Sequence, residues 1–512
     1  MSSLSLFTIQ QFIFLFISLS FLHALISHFL RRRSKSPANG GPPTYPIIGC
    51  LISFYQNRRR LLTWYTQLLN ESPTQTIIIS RLGARRTIVT ANPENVEYIL
   101  KSNFDNFPKG NPFTEILGDF LGIGIFNVDG ELWHTQRKLA SHEFSARSLR
   151  DYVLKVIEDD VNNKLLPVLS SVADDYENGR KRIVDLQDLL KKLAFDIVCK
   201  VSLGFDPSVS DSSSGLAGAF DAASAYSAIR GAEPVAAVWK MKRMFGIGTE
   251  KKLKEAVEEI HSCMKKIIKE KKEKIELQSN NNNNKDDLLH KMIMAGKEED
   301  ELRDMAISFV MAGRDTTSSA MTWLFWLLSN HPKAVNEIVR EAEQFMEMSS
   351  HYDGLKEMKF LEACLCESMR LYPPVAWDSK HAAVDDVLPD GTPVNGGDRV
   401  TYTAYGMGRM VSLWGEDRME FKPERWVAAP ENGGGGGGGG LKKVSGYKFP
   451  VFQAGPRICL GKEMAFLQMK YVMGSILRRF EIIAVKNEEE PLFVPLLTAH
   501  MAGGLQVYVK KR

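Results

Sequence analysis

Residues 452–461 read Phe-Gln-Ala-Gly-Pro-Arg-Ile-Cys-Leu-Gly, and the rest of the chain is best interpreted around this stretch. Its single cysteine, Cys459, lies between Gly455 and Gly461, whose backbones can turn sharply enough to aim N–H groups at sulfur. Such N–H groups lower the pKa of a thiol and favour the thiolate, which is the form that binds metals. Arg457 adds a cation suited to an acidic cofactor edge. The stretch predicts a cysteine-ligated metal centre; the alternative is a buried free cysteine in a glycine turn.

A long helical pattern covers residues 304–328, and within it residues 312–317 read Ala-Gly-Arg-Asp-Thr-Thr. Because Ala312 and Gly313 have almost no side chain, a flat cofactor and a small ligand can lie close to the helix backbone. The Thr316 hydroxyl can bond back to a carbonyl or to water, and Asp315 can carry protons from solvent. The pattern therefore indicates a reactive groove, with a simple helix kink as the alternative.

Two pairs of side chains stand at helical spacing elsewhere in the chain. Trp133 and Arg137 are four residues apart, so on a helix they share a face and can hold an anion between an indole N–H and a guanidinium. Glu367 and Arg370 are three residues apart and can form an ion pair. Each pair by itself is also typical of ordinary helix surfaces. The pairs therefore indicate a function only in combination with the other motifs of the chain.

Taken together, these patterns resemble the cytochrome P450 monooxygenases. Residues 452–461 resemble the haem-binding signature of that family, and residues 312–317 resemble its oxygen-activation motif. The Glu-x-x-Arg pair and the later Pro-Glu-Arg-Trp at residues 423–426 resemble the stretches that lock the loops around the haem, with Trp426 in place of the usual Phe. The resemblance implies the cytochrome P450 fold, mainly α with a small β-rich subdomain, and haem b as the cofactor with Cys459 as axial iron ligand.

The resemblance also assigns roles to individual residues. Lys380 is preferred over His381 as a partner of a haem propionate, because neighbours on a strand point to opposite faces. Of the residues assigned to the substrate, Phe113, Leu117 and Phe120 could equally be core residues. The resemblance implies cofactor binding by Cys459, Trp133, Arg137, Lys380 and Arg457, oxygen activation and proton delivery by Asp315 and Thr316, substrate contact by Phe113, Leu117, Phe120, Ala312, Val375 and Leu497, and a structural ion triad of Glu367, Arg370 and Arg425.

Periodicity predicts the surrounding elements. Residues 77–79 and 87–90 read as a β-hairpin, and residues 149–276 as scaffold helices with charged, solvated faces. Residues 113–128 are apolar but contain three glycines, which favours a mobile loop over a helix. Residues 375–380 follow two prolines and are expected to be extended, lining the cavity as a strand.

The amino terminus has the composition of a membrane anchor. Residues 1–30 contain no Asp, Glu, Lys or Arg, and the apolar run 12–30 has about the 20 residues that a spanning helix requires. Three arginines follow at once, which places the remainder in the cytosol and disfavours the alternative of a cleaved signal peptide. We expect a transmembrane anchor at 1–30, a basic and proline-rich hinge at 31–49, and a haem-thiolate catalytic domain at 50–512. By the resemblance, the membrane is that of the endoplasmic reticulum.

Composition limits the partners. A net charge of +4 over 512 residues gives no reason to expect nucleic acid, and six scattered cysteines suggest a reducing compartment. The sequence has no flavin or nicotinamide motif, so electrons are expected from NADPH through a separate NADPH–cytochrome P450 reductase. Its acidic surface would dock on cations near the cysteine loop, unless these are ordinary solvated charges. The candidates are Lys442, Lys443, Lys448 and Lys462.

Local wording such as residues 106–110, 124–130 and 386–392 looks like the plant fatty-acid omega-hydroxylase clan. This resemblance implies a lipophilic substrate and O2, with insertion of one oxygen atom at a terminal or near-terminal C–H bond. A fatty acid is the first expectation, and jasmonoyl-isoleucine and a sterol side chain remain alternatives. Two other classes also remain open: a lipid hydroperoxide isomerase or dehydratase, and a non-catalytic haem-binding protein such as a gas sensor.

Overall fold

The computed structural model describes residues 40–512, except 146, 209–214, 234, 278–286, 347, 349, 429–439 and 486–489, and of the earlier residues only Ser20. The predicted anchor, apart from Ser20, and the hinge up to residue 39 therefore lie outside the described residues. So do the glycine run up to residue 439 and the asparagine run at 280–284. Within the described part, no helix combines the length and the apolar character needed to cross a membrane.

Helices make up most of the fold, as the sequence predicts, and several continue into short π or 3-10 turns. The α-helices are α1 (Leu51–Asn57), α2 (Leu61–Glu71), α3 (Pro93–Glu97), α4 (Asn111–Leu121), α5 (Gly130–Ser145), α6 (Arg147–Asp160), α7 (Leu166–Glu177), α8 (Leu186–Leu203), α9 (Leu216–Ala232), α10 (Ala236–Phe245), α11 (Gly248–Leu277), α12 (Leu288–Met294), α13 (Glu299–Leu328), α14 (Pro332–Phe345), α15 (His351–Glu357), α16 (Lys359–Leu371), α17 (Ala404–Met407), α18 (Val411–Trp414) and α19 (Lys462–Arg479).

Short strands form small sheets beside the helices. A four-stranded sheet has the order β1-β2-β7-β4, and a three-stranded sheet has the order β3-β11-β8. The predicted hairpin is confirmed as the antiparallel pair β1 and β2. The strands are β1 (Thr76–Ile79), β2 (Thr87–Thr90), β3 (Val184–Asp185), β4 (Asp378–His381), β5 (Asp386–Val387), β6 (Pro393–Val394), β7 (Arg399–Tyr402), β8 (Phe480–Ala484), β9 (Phe493–Pro495), β10 (Ala499–Met501) and β11 (Gln506–Lys511).

Helix α13 runs through the main core, and its 30 residues include the predicted helical stretch. It packs closely on α8, and Gly313 makes this approach possible. A Cβ at Gly313 would lie 2.5 Å from Val198 Cγ2 on α8, which is far inside van der Waals contact. The missing side chain of Gly313 is therefore required by packing between the two helices, whereas its role in letting a cofactor lie close to the helix stays a prediction.

The expectation of a mobile loop over residues 113–128 is wrong for residues 113–121, which lie in helix α4, whereas residues 122–128 form turns and loop. Gly118 lies inside this helix and costs about 1 kcal/mol relative to alanine. Three apolar side chains on one face, Leu117, Phe120 and Leu121, are buried. Each contributes about 1.5 to 3 kcal/mol when fully buried, so the apolar face outweighs the glycine.

The turn after α4 is held against α13 by hydrogen bonds. Gly122 has a φ of +49°, and a Cβ there would lie 1.9 Å from Asp304 Oδ2. The Ile123 N–H donates to the same oxygen at 2.9 Å, and Gln136 Nε2 donates to the Ile123 carbonyl at 2.9 Å. The glycine therefore permits a close approach to a buried carboxylate.

Candidate cofactor and active site

The cysteine loop turns at two residues with positive φ. Gln453 has a φ of 59° and Gly455 a φ of 65°. A Cβ at Gly455 would lie 2.0 Å from the Leu100 carbonyl oxygen, so only glycine fits. The Cys459 N–H donates to the Phe452 carbonyl at 2.8 Å and closes the loop. Of the two glycines expected to turn, Gly455 does so, whereas Gly461 has an ordinary φ of −84° at the start of α19.

The thiol of Cys459 lies in a recess of the protein. Its side chain is exposed to solvent, yet desolvation by the neighbouring protein raises its pKa above the ordinary value. The Gly461 backbone N–H, Arg137 and Lys462 lower the pKa by smaller amounts. The prediction of a lowered pKa is wrong for the protein alone, because desolvation outweighs these groups. A bound metal cation would supply the missing positive charge and deprotonate the thiol.

Cations whose donors are not fully used by the described residues gather near this loop. Burial lowers the pKa of Lys380 well below its usual range, and nearby Lys109 lowers it further; within the described part its ammonium has no hydrogen bond or ion pair. Arg457 donates through Nη2 to the Val128 carbonyl at 2.8 Å and to Asp129 Oδ1 at 2.7 Å. Its buried Nε has no partner among the described residues.

The helix pair predicted to bind an anion lies beside these cations. Trp133 is buried on α5, and the Arg457 guanidinium stacks over its ring at 4.4 Å. Arg137, one turn later, is half-buried, and burial lowers its pKa while Cys459 raises it. The described residues give Arg137 no ion pair. Trp133, Arg137 and Arg457 therefore converge with Cys459 from two distant parts of the chain.

The structure also distinguishes Lys380 from His381 as a possible partner of an anion. His381 Nδ1 lies 2.5 Å from the Lys109 carbonyl oxygen, a contact that the neutral ring makes by donating its proton. Burial lowers the pKa of His381 to about 4, so this side chain is uncharged at neutral pH. It is therefore unsuited to hold an anion, whereas Lys380 Nζ has no hydrogen bond or ion pair to any residue that the structure describes.

Two carboxylates that the sequence interpretation missed connect the cations to the backbone. Asp129 accepts the N–H groups of Lys109 and Gly110 at 3.0 and 2.9 Å, besides Arg457. Asp378 accepts both hydrogen bonds from Lys109 Nζ, at 2.7 and 2.9 Å, and one from the Tyr402 hydroxyl at 3.0 Å. Although burial raises the pKa of Asp378, Lys109 and Lys380 bring it well below its usual range.

These donors fit haem b. Its iron requires one strong axial ligand, which the recessed Cys459 thiol can provide. Its two propionates require buried cations, and Lys380, Arg457 and Arg137 offer unpartnered donors that a protein would otherwise not leave buried. The strongest support for this conclusion is the buried Nε of Arg457, which has no hydrogen-bond partner among the described residues. Buried guanidinium nitrogens normally have partners, so a ligand is expected to accept a hydrogen bond from this atom.

The face of α13 that carries Thr316 borders the same region as the cysteine loop. Phe144 of α5 lies 3.9 Å from the position of a Cβ on Gly461, and its ring centroid is 5.7 Å from that of Phe309 on α13. Phe309 and Thr316 are seven residues apart, which places them on one helix face. Thr316 Oγ1 donates to the Ala312 carbonyl at 2.6 Å, as the sequence predicts for the groove.

Asp315 is buried beside Thr316. Burial raises the pKa of its carboxyl, while Arg314 and Lys191 lower it. Its Oδ1 has no hydrogen bond among the described residues. A raised pKa lets a carboxylic acid hold a proton closer to neutral pH, which suits a residue that passes protons on.

The residues predicted to contact substrate differ in their accessibility. Phe113, Ala312, Val375 and Leu497 are half-buried and retain surface that a ligand could touch, and Leu117 is nearly buried. Phe120 is only 1% exposed, with its ring centroid 5.8 Å from that of Phe220. Its ring therefore belongs to the packing between α4 and α9 and offers little surface for a ligand.

The ion triad around Glu367 is present. Arg370 donates to both Glu367 oxygens at 2.8 Å, and Arg425 Nε donates to Oε1 at 3.2 Å. Trp426 Nε1 adds a bond to Oε2 at 2.9 Å. The tryptophan that departs from the family pattern therefore gains an indole donor to the triad, which phenylalanine lacks.

The lysines near the cysteine loop differ in exposure. Lys442, Lys443 and Lys462 are exposed, and Lys448 is half-buried with its ammonium 4.6 Å from the Trp414 ring centroid. Lys462 is close enough to lower the pKa of Cys459. An exposed cation thus lies within electrostatic reach of the proposed metal ligand.

Comparison with known proteins gives a consistent result. The family model described as Cytochrome P450 matches residues 40–502. The chain is 56% identical to "Cytochrome P450 94B1" of Arabidopsis thaliana, covering 94% of this chain and 93% of that protein. It is 55% identical to "Cytochrome P450 94B3" of Arabidopsis thaliana, covering 98% and 99%. It is 43% identical to "Cytochrome P450 94A1" of Vicia sativa, covering 92% and 90%.

Proposed function

Because the chain belongs to the cytochrome P450 family, as a monooxygenase of the CYP94 group, we propose that it hydroxylates the terminal or near-terminal carbon of a lipid chain, with a fatty acid as first substrate. The observation that carries the proposal is the contact of Phe144 with both the Gly461 position and Phe309. It brings the cysteine loop and the Thr316 face of α13 to one region.

When bound, haem supplies a thiolate-ligated iron that activates dioxygen. Cys459 would ligate this iron, and Lys380, Arg457 and Arg137 would hold the propionates. Burial raises the pKa of the Asp315 carboxyl, which suits it to pass a proton on, and the Thr316 hydroxyl, bonded to the Ala312 carbonyl, offers its oxygen lone pairs to a neighbouring donor. Half-buried apolar residues such as Val375 and Leu497 exclude water and orient the chain end.

The substrate class is tested with the full chain, reductase, NADPH and a panel of fatty acids, jasmonoyl-isoleucine and sterols, with products read by mass spectrometry. We expect a hydroxyl group at or next to the end of a fatty acid, carrying one oxygen atom from labelled O2. Turnover of jasmonoyl-isoleucine or a sterol in preference to every fatty acid would replace the first substrate. Conversion of a lipid hydroperoxide without NADPH would replace the reaction.

We further propose that the protein sits in the endoplasmic reticulum membrane by residues 1–30, with its catalytic domain in the cytosol, and receives electrons from NADPH–cytochrome P450 reductase. The exposed Lys462, which is close enough to Cys459 to lower its pKa, supports an acidic partner on the side of the cysteine loop, and Lys442 and Lys443 are exposed as well. Replacing these lysines by Gln should weaken reduction by the reductase most strongly at low salt, while reduction by dithionite is unchanged. If the reductase reduced the variant and the parent protein at equal rates at every salt concentration, the docking proposal would be contradicted.

A further inference from the structure

Arg314 of α13 is a buried cation, and only part of its guanidinium contacts an acceptor. It is 3% exposed, and its Nη2 lies 2.8 Å from Asp221 Oδ1 on α9. Its Nε and Nη1 are buried without a hydrogen-bond partner in the part of the chain that the structure describes. Burying a guanidinium with two nitrogens that lack acceptors costs free energy. A second acceptor near these nitrogens would therefore stabilise the folded protein.

The nearest charged acceptor is the carboxylate of Asp315. Its Oδ1, itself without a hydrogen bond among the described residues, lies 3.6 Å from Arg314 Nε. This distance exceeds that of a hydrogen bond, yet a small side-chain rotation would close it. Arg314 therefore stands between two carboxylates: Asp221 has 45% of its side chain exposed, and Asp315 has 15%.

The other charged groups around this pair are few. Lys191 of α8 lies 2.6 Å from Asp221 Oδ1, the same oxygen that faces Arg314, so the two cations compete for it. His500 of β10 lies close enough to Asp315 to influence its pKa, and burial lowers the pKa of His500 itself. Lys191, Asp221, Arg314 and His500 are thus the charged or titratable groups that face Asp315 from α8, α9, α13 and β10.

We propose that Asp221 and Arg314 are positioning residues that set the proton affinity of Asp315 by dividing one buried cation between a carboxylate open to solvent and a carboxylate inside the protein. While Asp221 holds Arg314 Nη2, Asp315 has only the longer contact of 3.6 Å with Arg314 Nε and retains its proton more readily. When Asp221 loses its charge, Arg314 turns to Asp315 and favours the ionised carboxylate. The inference rests on the proposed function, because only a reaction that consumes protons depends on this setting.

The first test measures unfolding and needs no turnover. Asp221→Asn, Asp315→Asn and the double variant are made in the full chain, and their thermal midpoints are compared. In the single variants Arg314 keeps one carboxylate; in the double variant it keeps neither. We expect the loss of midpoint in the double variant to exceed the sum of the two single losses. Pairing Asp315→Asn with Asp188→Asn, whose carboxylate pairs with Lys192 on the exposed face of α8, should give an additive result.

The second test measures the pH dependence of the ratio of product formed to NADPH consumed. In Asp221→Asn, Arg314 lowers the pKa of Asp315, so the profile should move to lower pH by about one unit. In Lys191→Gln, Asp221 binds Arg314 without competition, and the profile should move to higher pH. Asp221→Glu retains the charge and should stay near the parent protein.

The outcomes separate the inference from the function on which it rests. Additive midpoints for Asp221 and Asp315, together with pH profiles that match that of Asp188→Asn, would overturn the role of Asp221 and Arg314. Absence of lipid product in the parent protein would instead overturn the proposed function, and the unfolding cycle would still report on the pairing. Because Asp221 and Lys191 are partly exposed, these variants disturb the core less than a change of Arg314.

Discussion

The proposed activity depends most directly on Cys459, because its thiol is the proposed metal ligand. Desolvation by the neighbouring protein raises its pKa, and Arg137, Lys462 and the Gly461 N–H oppose that effect only in part. A metal cation bound at the sulfur would favour the thiolate over the thiol. In contrast, Cys199 and Cys364 are buried away from the recess, and burial raises the pKa of each far above the ordinary value.

Replacing the sulfur tests its assignment as the metal ligand. Cys459→Ser should abolish the red-shifted absorption band of the reduced carbon monoxide complex, because that band requires a thiolate on the iron. Cys263→Ser, which changes a half-buried cysteine on α11, should retain the band. A Cys459→Ser protein with an unchanged spectrum would reject this residue as ligand.

We expect the fold to stay intact when the hydroxyl of Thr316 is removed. Thr316→Ala removes the oxygen that bonds to the Ala312 carbonyl and should retain haem, but divert reducing equivalents to hydrogen peroxide by about tenfold or more. Thr316→Ser keeps the hydroxyl and should stay close to the parent. The measurement is peroxide and product per NADPH consumed; equal ratios in all three proteins would exclude Thr316 from oxygen activation.

At the scale of elements, the cysteine loop depends on the contact between Gly455 and the segment that carries Leu100. The loop and the segment approach so closely that a Cβ would lie 2.0 Å from a carbonyl oxygen. The loop position is therefore fixed by backbone packing and not by the cysteine itself.

Gly455→Ala should displace this loop and lower haem content severely. Gly503→Ala is a matched control, because Gly503 also has a positive φ, +78°, but nothing lies within 4 Å of its Cβ position. The control should cost only the strain of the left-handed conformation, about 1 to 2 kcal/mol. Haem content and thermal midpoint are measured for both; equal effects would mean that the Leu100 contact is unimportant.

The Glu367 triad joins α16 to the stretch that contains Arg425. Glu367→Gln would leave Arg370, which is fully buried, without its carboxylate partner, and we expect a loss of about 3 to 5 kcal/mol in the free energy of unfolding. Glu337→Gln removes the partner of Arg340 in an exposed pair with the same spacing of three residues. That change should cost less than about 1 kcal/mol. Denaturant unfolding of both variants decides whether burial gives the triad its importance.

At the scale of the whole molecule, buried histidines make stability depend on pH. Burial lowers the pKa of His381 to about 4, and lowers that of His261 and His500. Below the ordinary value of 6.5, the unfolded chain binds protons at these rings while the folded protein does not. The free energy of unfolding should therefore be highest above pH 6.5 and fall as pH drops towards 4.

His381 should contribute about 2 kcal/mol to the loss of stability between pH 7 and pH 5. His381→Gln retains a donor for the Lys109 carbonyl but does not titrate, so it should remove that part of the difference. Unfolding by denaturant at the two pH values measures the effect. An identical loss in the variant and the parent would contradict the assignment of this pH dependence to His381.

The sequence was most informative where function depends on residues close together in the chain. The loop around Cys459, the Asp315-Thr316 pair on α13 and the Glu367–Arg370 pair were all located from spacing, because a helix or a tight loop fixes which near neighbours meet. Lys380 was preferred over His381 for the same reason. The length of α13 followed from periodicity. In α4, by contrast, the glycines suggested a loop, and the gain from burying Leu117, Phe120 and Leu121 was underestimated.

Chain order and local chemistry were thus enough to identify the family and to locate the proposed cofactor ligand and the helix that carries the Asp315-Thr316 pair. Only the tertiary structure decided that Gly313 is small to meet Val198, that Asp129 and Asp378 hold the segment around Lys109, and that Arg314 is paired with Asp221. Each of these contacts joins residues far apart in the chain. Spacing cannot predict such contacts, since packing alone determines which distant side chain fills a gap or neutralises a buried charge.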